Sequence, residues 1–151
     1  MQKSSEPKPD DVVIEIDFDV ISEDWTRYKL KDGTTIRIRT PLMKVFESKG
    51  KGPLGYPNIG IVQAPVVISA FNASQTGPPS NIIPKPEEYS EEVAIIERHE
   101  KEQEYRTQDG FTIILKPILV KAFKAPKVFN PFGEPVYQVQ TQAILDVRKA
   151  R

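Results

Sequence analysis

Tyr28-Lys29-Leu30-Lys31-Asp32-Gly33-Thr34-Thr35-Ile36-Arg37-Ile38-Arg39 has a counterpart 77 positions on, Tyr105-Arg106-Thr107-Gln108-Asp109-Gly110-Phe111-Thr112-Ile113-Ile114-Leu115-Lys116. The likeness continues to Phe46. Tyr28, Asp32, Gly33, Thr35, Ile36, Leu42, Lys44 and Phe46 are identical to Tyr105, Asp109, Gly110, Thr112, Ile113, Leu119, Lys121 and Phe123. Self-similarity at a fixed spacing is the signature of an internal duplication. Each copy reads as a strand, a turn and a second strand. The Asp-Gly pair supplies the positive φ that a tight hairpin needs.

Working outward from the hairpins, residues Val12 to Ile21 alternate apolar and polar, which predicts a half-buried strand. Another strand is expected from Trp25 to Leu30, and a long one from Thr34 to Glu47. Proline cannot donate to a strand ladder, so Pro41 and its counterpart Pro117 predict a bend or bulge in that long strand. A fourth strand follows from Ile59 to Phe71, with a kink at Pro65. The second copy repeats the scheme, ending in a strand from Val136 to Val147. Loops Pro53–Pro57 and Pro131–Pro135 match with a one-residue slip. The expected organisation is a polar tail at 1–10, a β repeat at 11–72, a proline-rich linker at 73–90 and a second repeat at 91–148. The expected fold is all-β: two tandem duplicated small barrels or curled sheets, about four strands each.

Composition agrees with strands. Valine and isoleucine together number 29, against 16 for leucine, methionine and alanine, and β-branched residues suit a pleated, half-buried surface. The 21 basic and 21 acidic side chains cancel, and they cancel within each half, so net charge gives no reason to bind nucleic acid or an anionic membrane. Cysteine is absent, which excludes disulfides and thiolate chemistry and agrees with a cytoplasmic setting. No apolar run is long enough for a membrane span, and the first ten residues hold no signal-peptide core.

No motif names a reaction. His99 is the one histidine, set in a charged stretch where an exposed side chain is expected, and a catalytic base would need a nucleophile and an orienting group beside it. There is no glycine-rich phosphate loop, no metal-spaced histidine set and no nucleophile elbow. Glu15, Asp17 and Asp19 would share one face of the first strand, where three carboxylates could hold a hard cation. The second copy replaces Asp17, Asp19 and Arg37 by Ala94, Ile96 and Ile114, so acid and base vanish together. That pattern predicts cross-strand ion pairs between these acids and Arg37 and Arg39. It also makes Ala94, Ile96 and Ile114 an apolar face expected to be covered by the first repeat, a second subunit or a partner.

The expected role is therefore a non-catalytic structural or protein-interaction module without cofactor or metal, oligomeric, and with Tyr56 and Phe132 as loop contacts. The alternative is nucleic-acid binding along the bent strands through Arg37, Arg39, Lys44, Lys121 and Lys124, interleaved with aromatics. Around the Asp-Gly turn each copy resembles the first hairpin of Sm-like and SH3-like barrels over about twenty residues. The Asn and Arg-Gly positions through which Sm proteins bind RNA have no counterpart in this chain, so the resemblance assigns no functional residue.

Overall fold

The computed structural model describes residues 13–51 and 57–149, which form strands in three sheets and no α-helix. The tail at 1–10 lies outside the described residues, as does Tyr56 with most of the Pro53–Pro57 loop. In chain order the strands are β1 (Val13–Ile16), β2 (Phe18–Ser22), β3 (Thr26–Leu30), β4 (Thr35–Arg39), β5 (Leu42–Lys51) and β6 (Pro57–Gln63). They continue as β7 (Val67–Phe71), β8 (Glu91–Val93), β9 (Ile95–His99), β10 (Gln103–Thr107), β11 (Phe111–Phe129) and β12 (Pro135–Lys149). Sheet A is ordered β1-β5-β6, sheet B β12-β11-β10-β2 with β8 also on β11, and sheet C β7-β4-β3-β9. The all-β class holds; of the two forms expected, barrel or curled sheet, no closed barrel is found among the described residues.

The hairpins form as the Asp-Gly pairs dictate. Gly33 and Gly110 adopt φ of 89° and 92°, a region open to glycine because it has no Cβ to clash. Tyr28 stands opposite Ile36 and Tyr105 opposite Ile113, the same register 77 residues apart. Equivalence extends through the other pairings. Glu15 opposes Phe46 as Glu92 opposes Phe123, and Val45 opposes Ile61 as Ala122 opposes Val139. The register shifts between Leu42 and Lys44, and again between Leu119 and Lys121. These are bulges just beyond Pro41 and Pro117, where a missing donor weakens the ladder.

The two halves are interlocked. Strand β2, from the first half, pairs with β10 of the second, and β9, from the second, pairs with β3 of the first. The chain makes this exchange by breaking at Asp17 and at Ala94, so Val12–Ile21 is two strands in two sheets rather than one. At both breaks a carbonyl accepts from the facing turn: Gln108 N–H donates to Asp17 O at 3.0 Å and Lys31 N–H to Ala94 O at 2.8 Å. One core cluster joins Tyr28, Leu30, Ile36 and Ile38 to Val93, Leu119 and Ala122. The other joins Ile16, Leu42 and Val45 to Tyr105, Ile113 and Leu115. Each core thus draws side chains from both halves.

The exchange also overturns the expected ion pairs. Asp19 lies opposite Arg106, not Arg37, and Glu15 lies in sheet A with its carboxylate 3.6 Å from Lys44 Nζ. The acids and arginines share a strand period but not a sheet.

Two tyrosine clamps tie the halves together. Tyr28 Oη donates to Glu100 Oε2 at 2.8 Å and accepts from Leu119 N–H at 2.9 Å. In the equivalent place Tyr105 Oη donates to Glu23 Oε2 at 2.6 Å and accepts from Leu42 N–H at 3.3 Å. Each hydroxyl satisfies a buried backbone donor beside a bulge, a group that would otherwise cost free energy. Burial, assisted by the neighbouring glutamate, pushes both phenols well above their usual range, so they stay neutral donors.

Candidate interaction surfaces

The linker is fixed against the second half. After β7, Asn72 donates through Nδ2 to Asp32 O and Thr34 Oγ1, and Gln75 Nε2 donates to Asp32 O. Beyond it, Gly77 N–H donates to Gly133 O and Ser80 N–H to Asn130 O. The turn it meets is Asn130–Glu134, where Asn130 Oδ1 accepts from the N–H groups of Phe132 and Glu134. A Cβ on Gly133 would come within 2.6 Å of Gly77 O, so glycine is what lets the two backbones approach.

This docking holds three large apolar side chains out in solvent. Ile82, Ile83 and Phe132 are 74%, 86% and 83% exposed. Ile82 and Ile83 border a groove of about 360 Å³ that Pro84, Tyr89, Pro131 and Val136 complete, and Phe132 borders the adjoining concavity beside Ile68 and Tyr137. Single exposed apolar residues are ordinary, whereas a contiguous apolar patch marks a contact site. Phe132 was legible in the sequence as a loop aromatic. For Ile82 and Ile83 the only signal in the sequence is a pair of isoleucines in a proline-rich stretch.

Behind this corner lies a half-buried polar network. Asp32 accepts from Tyr137 Oη at 2.6 Å and from Thr34 N–H at 2.9 Å, with Lys124 Nζ at 3.9 Å. Lys124 also donates to Gln75. Burial alone would raise the Asp32 carboxyl, but Tyr137, Thr34 and Lys124 outweigh it and hold the group below the usual carboxylate range. The equivalent place in the other half differs. There Asp109 faces Glu47 in place of a lysine, and the hydrogen bond between them, with burial, raises Glu47 to about 6.

The other sequence-derived candidates are dispersed. Ile114 is 8% exposed in sheet B, whereas Ile96, 56% exposed, is the extra residue of a bulge in sheet C, and Ala94 lies at the break between β8 and β9. The three do not form one continuous face. Lys44 is next to Glu15, Lys124 belongs to the Asp32 network, and Lys121 is exposed on β11. Arg37 and Arg39 lie on the outer face of sheet C against Trp25, with guanidinium carbons 5.1 and 4.5 Å from the ring centre. His99 is exposed on β9, 3.7 Å from Glu97. Among the described residues no three acidic or histidine side chains cluster as metal ligands, and no helix is long and apolar enough to cross a membrane. Comparison with protein-family models, with curated proteins and with solved structures finds no match to this chain.

Proposed function

We propose that this protein is a non-catalytic interaction module that self-associates through the corner formed by Ile82, Ile83 and Phe132. The observation carrying this reading is that these side chains are exposed on segments joined to each other by the Gly77–Gly133 and Ser80–Asn130 hydrogen bonds. Such tethering matters because ordering a loop on binding would offset the gain. Burying each such side chain contributes about 1.5–3 kcal/mol, and a two-fold contact counts each of the three twice against the cost of association. A cytoplasmic site fits the absence of cysteine.

We further infer that the halves descend from one doubled segment. Supporting this are the shared registers, the paired bulges and the paired tyrosine clamps, each repeated 77 residues apart. A two-fold arrangement of copies would extend the same symmetry outward.

Light scattering across a concentration series tests the proposal. The wild type is expected above the monomer mass of 17.1 kDa, and the Ile83→Asp/Phe132→Ser variant at that mass with an unchanged melting temperature. A wild type that stays at the monomer mass up to about 100 μM, well above the Kd of a specific contact, refutes self-association.

A further inference from the structure

The outer face of sheet C gathers four cations that form no ion pair among the described residues. Strand β3 buries Thr26, Tyr28 and Leu30, and β4 buries Ile36 and Ile38. Period two then sends Arg27, Lys29, Arg37 and Arg39 to the other side. In register, Arg27 stands directly opposite Arg37. Like charges directly opposed across two strands destabilise a sheet, so a fold indifferent to function would not favour this pair. Among the described residues none of the four cations is in an ion pair. The one acid in register with them, Glu97 opposite Lys29, lies beside His99.

Aromatic rings organise these cations. Arg37 lies 5.1 Å from the Trp25 ring and 5.7 Å from the Phe71 ring, and Arg39 lies 4.5 Å from Trp25. The Nε atoms of both arginines are buried without a hydrogen-bond partner, and Arg37 Nη2 donates to Ser69 Oγ at 3.1 Å. Stacked guanidinium groups lose little freedom when they bind, and their remaining donors fit phosphate oxygens. The equivalent face of sheet B, related by the same registers, has a different composition. There Trp25, Arg27 and Arg37 are matched by Glu102, Glu104 and Ile114, and Phe71 by Arg148. Arg106 and Lys116 keep the charges of Lys29 and Arg39, so what sheet C adds is the opposed Arg27–Arg37 pair and the aromatic rings beside it.

We propose that the outer face of sheet C binds single-stranded nucleic acid, with phosphates on Arg27, Lys29, Arg37 and Arg39 and bases stacking on Phe71 and the Trp25–arginine ladder. The aromatics favour a single strand over a duplex, because only unstacked bases offer their faces. The sheet presents no helix or ribbon to enter a major groove. This site adjoins the apolar corner, Phe71 and Phe132 bordering one concavity, but its cations lie outside that corner and neither reading depends on the other.

Trp25 is the only tryptophan of the chain, so its fluorescence reports on this face alone. Titration with an oligothymidylate of about 15 nucleotides is expected to quench it, base stacking being the usual contact of such sites. If four phosphates are neutralised, affinity falls about 50-fold between 50 and 200 mM salt, from a slope near −0.7 per phosphate. Arg27→Gln/Lys29→Gln, at exposed positions, should lower that slope by about 1.4 and weaken binding, while the melting temperature holds or rises as the Arg27–Arg37 repulsion is relieved. Arg106→Gln/Lys121→Gln, on sheet B, should change neither affinity nor slope. Absence of quenching overturns the proposal, as does binding that the Arg27→Gln/Lys29→Gln variant retains in full. Equal competition by poly-glutamate also overturns it, and would make the face a docking site for an acidic protein segment.

Discussion

Removing one hydroxyl, in Tyr28→Phe, tests whether the two halves are held together as described. Tyr28 is 1% exposed, and phenylalanine fills nearly the same volume, so the change isolates the polar contacts. The lost bond to the Glu100 carboxylate is worth about 1.5–3 kcal/mol, as for hydrogen bonds to charged groups. Leu119 N–H is then left without its partner in the core, at a cost of about 1–3 kcal/mol. Overlap between these terms puts the expected loss at about 2–4 kcal/mol, out of a total stability of roughly 5–15 kcal/mol. With a urea slope of about 2 kcal/mol/M the unfolding midpoint should fall by roughly 1–2 M. Tyr105→Phe should cost at least as much, because Gln103 Nε2 also donates to that hydroxyl at 2.7 Å. Urea denaturation followed by circular dichroism measures both variants, and a double-mutant cycle with Glu100→Gln isolates the Tyr28–Glu100 coupling. A Tyr28→Phe loss below about 0.5 kcal/mol at unchanged slope, with no coupling in the cycle, refutes the clamp.

Three other outcomes are expected. Glu47→Lys should place beside Asp109 the partner that Lys124 provides for Asp32, adding about 0.5–1 kcal/mol as a partly exposed pair. In the wild type Glu47 is raised from 4.5 to about 6 by its hydrogen bond to Asp109 and by burial, with Lys149 pulling the other way. The raised group's contribution is therefore full below pH 4.5 and lost as pH rises through 6, a fall in chemical-denaturation stability that the variant should lack. Gly133→Ala should cost about 1–3 kcal/mol through its positive φ of 77° and its collision with Gly77 O, and limited proteolysis should show the linker released near Gly77. Fragments ending and beginning in the linker near Pro78 should each lack a cooperative melting transition alone and regain one when mixed, because both cores need side chains from both halves.

Periodicity and turn chemistry made much of the fold legible. Asp32-Gly33 and Asp109-Gly110 specified the hairpins because few other residues tolerate that φ, and Pro41 and Pro117 marked the bulges because proline lacks a donor. A period of two says which residues share a face, but not which strand lies alongside. Hence the alternation from Val12 to Ile21 conceals the break at Asp17, and with it that Asp19 neighbours Arg106 and not Arg37. Net charge was equally blind to place. Equal totals of acid and base hid the separation of Arg27, Lys29, Arg37 and Arg39 from their counterbalancing acids.

The two halves serve as each other's control, and this separates what the fold needs from what it merely permits. Tyr28 and Tyr105, Leu42 and Leu119, Ile36 and Ile113, and the Asp-Gly pairs are identical, and each occupies a clamp, a core or a turn that cannot be made otherwise. Where the halves differ at matched registers, the backbone accepts either residue, so the fold does not explain the choice. Lys124 against Glu47, Arg37 against Ile114 and Trp25 against Glu102 are such positions. At Glu47 the difference costs stability at neutral pH, because two carboxylates meet where the other half has an ion pair. At Arg37 it also costs stability, because two arginines oppose each other where the other half pairs Ile114 with Glu104. A like-charge pair kept in one half and absent from the other is a local conflict of the kind that folds tolerate at functional sites. That asymmetry, more than the charge itself, makes the outer face of sheet C the place to look for a ligand.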